Sequence, residues 1–351
     1  MGNKVLVTGG AGFLGARTVR ALLEAGESVK VLVRASSNLK TLAGLPADKV
    51  EVVEGDVRVE HTVFRALAGC DRMIHTAAVN RLWARDPNEI LDAAIEGTRS
   101  TLTAARKRGL ARVVYTSSAA TLGVTSSPED MDESHPFGMT DPSTYTDAKV
   151  KAEEVAREFT SALPIVIAQP TVMLGPGDSK PTPAGEGILR FLTWDMPLVD
   201  FPVVDGGLNY VDVDDVARAH VTMLTKGTPG QRYILGGDNL TYEQFFSLAA
   251  ELTGVPGPGG TISKGTAELG GRLLELRARF GGTSPIASAA SARDYAGNYV
   301  WVPSKLAEDV LGYTHRPARR ALARGIQWFL EHGYLRDDQA RKLRINLRAP
   351  A

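Results

Sequence analysis

The chain has 351 residues, enough for one large or two ordinary domains with a substantial core. Lysine plus arginine and aspartate plus glutamate both total 40, so no overall charge draws it to nucleic acid or to a membrane surface. Cys70 is the single cysteine, which excludes an internal disulfide and suits a reducing, cytoplasmic compartment, and no apolar run reaches the length of a membrane span.

The start, MGNKVLVTGG, has no signal-peptide layout and goes straight into a strand, KVLVTG. FLGARTVRALLEAG follows with helical spacing of Leu14, Val19, Leu22 and Leu23, and Gly26 as a stop signal. SVKVLVR reads as the second strand, KVEVVEGD the third, DRMIHTAA the fourth and ARVVYTSS the fifth. A long helical stretch from about Pro87 to Arg108 separates the last two, and LPIVIAQP reads as a sixth strand. Near-continuous apolar strands separated by helices predict a parallel sheet covered on both faces over roughly the first 170 residues.

After QPTVMLGPGD, proline and glycine become frequent and the alternation is lost. Residues 1–170 are therefore expected to form the main domain, with 205–226 returning to it as a strand and a helix. Residues 171–204 and 227–335 are expected mainly in a smaller lobe, and 336–351 in a basic tail. The stretch 256–291 is rich in glycine, alanine and serine and is assigned little structure. From His315 onward nine arginines or lysines face three acids, which reads as a solvated helix and tail. The six histidines, His61, His75, His135, His220, His315 and His332, show no metal-ligand spacing, so no metal is expected.

TGGAGFLG places Gly9, Gly12 and Gly15 between a strand and a helix. Glycine suits a tight turn, a close approach of backbone to pyrophosphate, and helix–strand packing. The helix N-terminus, through Gly12, Phe13, Leu14 and Gly15, offers free N–H groups to phosphate. With strand before and helix after, the motif predicts dinucleotide binding. The fold expected is α/β, a Rossmann-type doubly wound parallel sheet with a smaller C-terminal substrate-binding lobe. An acid at the end of the second strand would suit the ribose hydroxyls of NAD; here VRASSNLK puts Arg34 near that place, with Lys40 behind. A cation with hydroxyls suits a 2′-phosphate, so NADP(H) is preferred and NAD(H) is the alternative. Arg34 stacked on adenine or facing water is the other reading.

In YTDAK, Tyr145 and Lys149 share one helix face. Spacing alone fits a solvated surface pair as well as a tuned acid. The motifs TGGAGFLG, EGDVR, HTAA, YTSS, YTDAK, GPGD and NYVDVDDVARAH, in that order, resemble those of the extended short-chain dehydrogenases/reductases. YILGGDNLTYEQ and VPSKLAEDVLGY extend the resemblance to nearly the whole chain, and RLWARDP and KPTP are similar to the dihydroflavonol-reductase-like branch, which includes proteins labelled hopanoid-associated sugar epimerases.

The resemblance implies that Tyr145 exchanges a proton with a substrate oxygen, that Ser118 holds that oxygen, and that Lys149 lowers the phenol pKa and holds the nicotinamide ribose. Ser117 is the neighbour that could be confused with Ser118. It further implies cofactor contacts from Asp56, with Val57 beside it, from Ala77 and Ala78, and from Pro170, Thr171 and Val172. A turn or helix cap is the lesser reading of Asp56. His75 reads as a packed strand residue. The chain departs from the family pattern at Ala94, where asparagine is frequent, and at Gln169, where many nucleotide-sugar enzymes carry arginine.

Trp83, Trp194, Met173, Phe191 and Phe201 are candidates for an apolar substrate wall, or for core. The lobe shows no arginine cluster for a diphosphate, which favours an apolar or mixed carbonyl substrate. The expected activity is an NADP(H)-dependent interconversion of a ketone or aldehyde with an alcohol on a small molecule. A nucleotide-sugar epimerase or dehydratase with retained NAD is one alternative; a non-catalytic nucleotide sensor or scaffold is another. The resemblance also implies a homodimer through the fourth and fifth helices, with neither nucleic acid nor an integral membrane contact as partner.

Overall fold

The structure is a computed structural model, and it describes residues 4–78, 84, 86–194, 200–280, 289–341 and 343. Six strands open the chain: β1 (Lys4–Thr8), β2 (Val29–Val33), β3 (Val50–Glu54), β4 (Cys70–His75), β5 (Arg112–Thr116) and β6 (Ile165–Pro170). Between them run α1 (Phe13–Glu24), α2 (Glu60–Ala66), α3 (Asn88–Arg108) and α4 (Thr144–Glu158). The small sheet begins with β7 (Val172–Leu174); α5 (Pro183–Leu192), β8 (Phe201–Val204), β9 (Gly207–Asp212), α6 (Val213–Met223) and β10 (Arg232–Leu235) follow.

Among the described residues the large sheet has seven strands in the order β10-β6-β5-β4-β1-β2-β3, and every pairing is parallel. The order reverses beside β1, so a crevice opens between the ends of β1 and β4, the usual ligand position in such sheets. Both faces are covered, as the apolar strands require. Val5, Val7, Val29, Val31 and Ile74 pack under α1 and α6 on one face. Leu6, Met73, Val113, Tyr115, Ile165 and Ile167 face Leu102 of α3 and Val155 of α4 on the other.

The rest of the chain supplies β11 (Asp238–Thr241), α7 (Tyr242–Thr253), β12 (Pro258–Ile262), α8 (Lys264–Arg279), α9 (Ala289–Tyr295), β13 (Tyr299–Val300), α10 (Lys305–Leu311) and α11 (Ala318–Glu331). The small sheet is built on β9, which pairs with β7, β11 and β13. Within 205–226, therefore, α6 packs on α1 while β9 joins the small sheet. β10, from the stretch expected in the smaller lobe, is the seventh strand of the large sheet.

The stretch 256–291 carries more structure than expected. It holds β12, α8 and the start of α9. Ser263 starts α8 by accepting a hydrogen bond from the Thr266 amide, which offsets the low helix propensity of Gly265, Gly270 and Gly271. Gly271 and Ala278 are buried on its inner side. Of the basic tail, residues 342 and 344–351 lie outside the described residues.

Candidate active site

The loop after β1 makes a cradle that only glycine can form. Gly9 has φ +68°, and a Cβ there would stand 2.8 Å from the backbone of Ala77. A Cβ on Gly15 would stand 2.1 Å from the Gly9 carbonyl oxygen, so this position sets how closely α1 meets the loop. Gly12 is exposed at the start of α1, its amide bonded to the Gly9 carbonyl at 2.9 Å. No side chain caps that helix and no acid lies in its first turn. An uncapped, positively polarised helix end behind bare backbone fits the pyrophosphate of a dinucleotide. Ala77 and Ala78 follow β4 on the other side of the crevice; the Ala77 amide faces the Thr8 hydroxyl at 3.4 Å.

At the end of β2, Arg34 is exposed, and its backbone is held in a turn with Ser37, whose hydroxyl accepts from the Arg34 amide at 3.0 Å. Lys40 is also exposed, in the short turn that Asn38 caps. The Thr41 hydroxyl donates to the Ala11 carbonyl at 3.0 Å, tying this turn to the glycine loop. Asp56, after β3, accepts from the Arg58 amide and from its guanidinium, at 2.9 and 2.7 Å. The Arg58 hydrogen bond, with a smaller Coulombic contribution from Arg34, holds the Asp56 carboxyl below the usual aspartate range. Asp56 thus stabilises a turn in this structure, while Val57 packs toward Gly97 of α3.

α4 brings Tyr145 and Lys149 to the ends of β4 and β5. The helix starts at Ser143, whose side chain accepts from the Thr146 amide. Ser118 accepts from the Ala120 amide at 3.2 Å, and its hydroxyl bonds to the Tyr145 phenol oxygen. Lys149 Nζ lies 6.0 Å from the centre of the Tyr145 ring. The phenol does not titrate low, as the sequence suggested. Burial pushes it above its ordinary value, and the Ser118 hydrogen bond draws back only part of that rise. Burial also lowers Lys149, to about 8, against the pull of Glu153. His75 lies beneath. Burial, aided by the Lys149 charge, pushes it down to about 3, so it is neutral; its Nδ1 meets the Thr8 hydroxyl at 2.7 Å and its ring stacks on Tyr115.

Ser117 and Ser118 separate by direction. Ser117 is buried and donates to the Glu153 carboxylate, away from Tyr145. Glu153 is itself 3% exposed. It also accepts from Thr121 at 2.9 Å and from Gln169 at 3.2 Å, and pairs with Arg232 at 3.4 Å. This buried carboxylate, one turn below Lys149, went unnoticed in the sequence; its spacing of four from Lys149 was the available signal. Gln169 donates to Thr121 at 2.8 Å, so glutamine in place of arginine fits a site whose acid already has a cation from β10. Pro170 is buried at the end of β6, and the Thr171 hydroxyl donates to Asn209 at 2.8 Å, leaving Val172 to begin β7.

Phe191 belongs to a core cluster with residues of α7 and α11, and Phe201 packs against it with ring centres 5.1 Å apart; Trp194 packs on Phe201 at 5.3 Å. Met173 packs against the cluster under α1. Trp83 lies outside the described residues. α9 holds the start of α4: its Asp294, 2% exposed, accepts from the Ser143 amide at 2.9 Å and the Thr146 hydroxyl at 3.2 Å.

Residues 5–236 match the NAD dependent epimerase/dehydratase family. A Synechocystis sp. protein named "Putative dihydroflavonol 4-reductase" is 36% identical over 346 residues, covering 96% of this chain and 97% of its own. Sterol demethylase protein B of Methylococcus capsulatus is 36% identical over 72% of this chain and 75% of its own. The crystal structure of gox2253 superposes with a TM-score of 0.82 at 33% identity, over 95% of this chain and 100% of that one. With the glycine cradle at the sheet crevice, these matches establish that the chain belongs to the NAD dependent epimerase/dehydratase family, the extended short-chain dehydrogenases/reductases, as an NAD(P)-dependent oxidoreductase.

Proposed function

We propose that the protein is an NADPH-preferring reductase of a ketone or aldehyde on a modest-sized, largely apolar molecule. The observation that carries this reading is the meeting of Ser118, Tyr145 and Lys149 at the sheet edge, beside the glycine cradle. When bound, the dinucleotide supplies hydride chemistry. Gly9, Gly12 and Gly15, with the amides of Phe13 and Leu14, would hold its pyrophosphate. Asp56, Val57, Ala77, Ala78 and Pro170–Val172 would flank the rest, and Arg34 and Lys40 would meet a 2′-phosphate.

The protein's own chemistry is proton transfer. The Ser118 hydroxyl would orient the substrate oxygen, and Tyr145 would give that oxygen its proton as the carbonyl carbon becomes an alcohol carbon. A phenol raised by burial stays protonated at neutral pH, which suits a donor. Lys149, cationic below about pH 8, would stabilise the phenolate left behind. The large-sheet body would serve the nucleotide and the smaller lobe the substrate. The face of α3 and α4, which pack together, would form a homodimer, and the lone free Cys70 supports a cytoplasmic setting.

Tyr145→Phe is expected to lower carbonyl reduction by about 10³-fold while leaving nucleotide affinity nearly unchanged. Normal turnover in that variant would exclude this mechanism. Arg34→Asp is expected to weaken NADPH binding by about 10- to 100-fold with little loss of NADH binding. Undiminished NADPH binding in a titration would remove the phosphate role.

A second reading, an epimerase or dehydratase with retained NAD, is favoured by the matched family. Release of nucleotide from freshly purified protein and its identification by mass separates the two: stoichiometric NAD supports the second, and a site that takes NADPH reversibly supports the first.

A further inference from the structure

α8 is apolar on two opposite faces. Its inner side, with Gly271 and Ala278 buried, packs on α9. Its outer side exposes Leu269 (60%), Leu273 (60%), Leu276 (52%) and Phe280 (84%). These four residues, spaced by four, three and four, fall within an arc of about 60° at 3.6 residues per turn. Helices carry such a stripe when something covers it.

The charges bordering the stripe say what kind of surface would do so. Arg272 and Arg277 are exposed, one on each side of it, and Lys264 is exposed at the helix start. The two acids of the helix, Glu268 and Glu275, are both partly buried, and Glu275 is engaged by the Ala289 amide at 2.8 Å. Among the described residues, the exposed charged positions of α8, Lys264, Arg272 and Arg277, are therefore all cations beside the leucine and phenylalanine stripe. Long cationic side chains flanking an apolar stripe can reach phosphate while the stripe enters the acyl boundary.

Size also decides between occupants. A 16-residue helix offers a strip of about 24 Å by 10 Å, roughly a third of what each partner buries in an ordinary stable dimer. A single amphipathic helix lying in a bilayer interface needs no more than this strip. Among the described residues no helix is long and apolar enough to cross a membrane, so contact would be at the surface.

We propose that the outer face of α8 docks the protein on an anionic lipid bilayer, with Leu269, Leu273, Leu276 and Phe280 inserted and Arg272 and Arg277 at the headgroups. α9, packed on α8, bonds through Asp294 to the start of α4, so the docked face is joined to the helix bearing Tyr145. The proposal does not depend on which reaction the site performs.

The test is flotation of the full chain with vesicles of phosphatidylcholine alone or mixed equally with phosphatidylglycerol. The protein is expected to float with the mixed vesicles and to be released by raised salt. Leu273→Asp with Phe280→Asp, and separately Arg272→Glu with Arg277→Glu, are each expected to lower the bound fraction by at least about tenfold. Both doubles change exposed side chains, so the far-UV circular dichroism spectrum and the denaturant midpoint should be retained and confirm folding. Absence of flotation by the unaltered protein would overturn the proposal. So would flotation unchanged by both doubles, or equal binding to neutral vesicles. A fall in sedimenting mass in the Leu273→Asp, Phe280→Asp protein, without lipid binding in the parent, would assign the face to a second copy instead.

Discussion

Lys149 is a cation held where burial opposes its charge. Its ordinary value near 10.5 falls to about 8, and the Glu153 carboxylate one turn away limits the fall. Reduction would need this charge together with a protonated Tyr145. The rate at saturating NADPH should therefore be level near neutrality and decline as pH rises through about 8. Glu153→Gln removes the carboxylate charge that favours the ammonium, so its decline should begin at lower pH; a pH–rate profile of the two proteins reads this directly. A profile unmoved by Glu153→Gln would mean that the carboxylate serves packing alone. The linkage to stability runs the other way. Because the folded state depresses the lysine, charge at this position opposes folding below about pH 8, and the opposition is relieved between there and the unfolded value.

The Tyr145–Lys149 pair was legible in the sequence because residue types, helical spacing and the upstream glycine loop coincided. Its tuning was not. The phenol's direction depends on burial by residues distant in the chain, and the choice of Ser118 over Ser117 depends on which hydroxyl turns toward Glu153. Neither follows from local pattern.

Elements fared by how local their cause is. Strands β1 to β6 match the six apolar runs within three residues at each end, since a fully buried parallel strand needs little beyond an unbroken apolar segment. α8 failed the same test. Its glycines weaken helix propensity and masked the leucines, glutamates and arginines of RLLELRAR, which with the capping serine and the packing on α9 make a helix there. β10 is another case: RYIL is too short to announce itself, and its place beside β6 comes from the pairing of Arg232–Leu235 with Ile167–Pro170. At this scale Asp294 gives a clear expectation. It is buried and accepts from the Ser143 amide, so Asp294→Ala leaves the start of α4 without that partner. A loss of about 1–3 kcal/mol is expected. Denaturant unfolding measures this, and turnover should fall with it because Tyr145 lies in the first turn of the same helix. Asp294→Asn, which keeps an acceptor oxygen, should recover most of the loss.

Over the whole molecule, one charged cluster joins segments far apart in the chain. Asp212, fully buried, caps α6 through the Asp214 amide and pairs with Arg316 at 2.9 Å and with Arg324. Asp214 in turn pairs with Arg324 and with Arg17 of α1. Gly325 of α11 also lies against the backbone of Gly175, where a Cβ would stand 3.3 Å from the amide nitrogen. Removing Asp212 would leave Arg324 with Asp214 and Arg316 with Asp215 and Asp214, and would uncap α6. Asp212→Ala is therefore expected to lose about 2–3 kcal/mol from the cap and the charged hydrogen bonds, read as a lower denaturant midpoint. A loss below about 1 kcal/mol would mean that the cluster orients the lobes without holding them.

The same cluster bears on how the chain acquires its shape. The family match ends at residue 236, yet Arg316 and Arg324, which neutralise the acids at the start of α6, lie some eighty residues beyond. The matched segment therefore does not contain all the partners of its own buried charges. During synthesis from the N-terminus, residues 5–236 emerge with Asp212 lacking both of its arginines, and the cluster stays incomplete until α11 arrives.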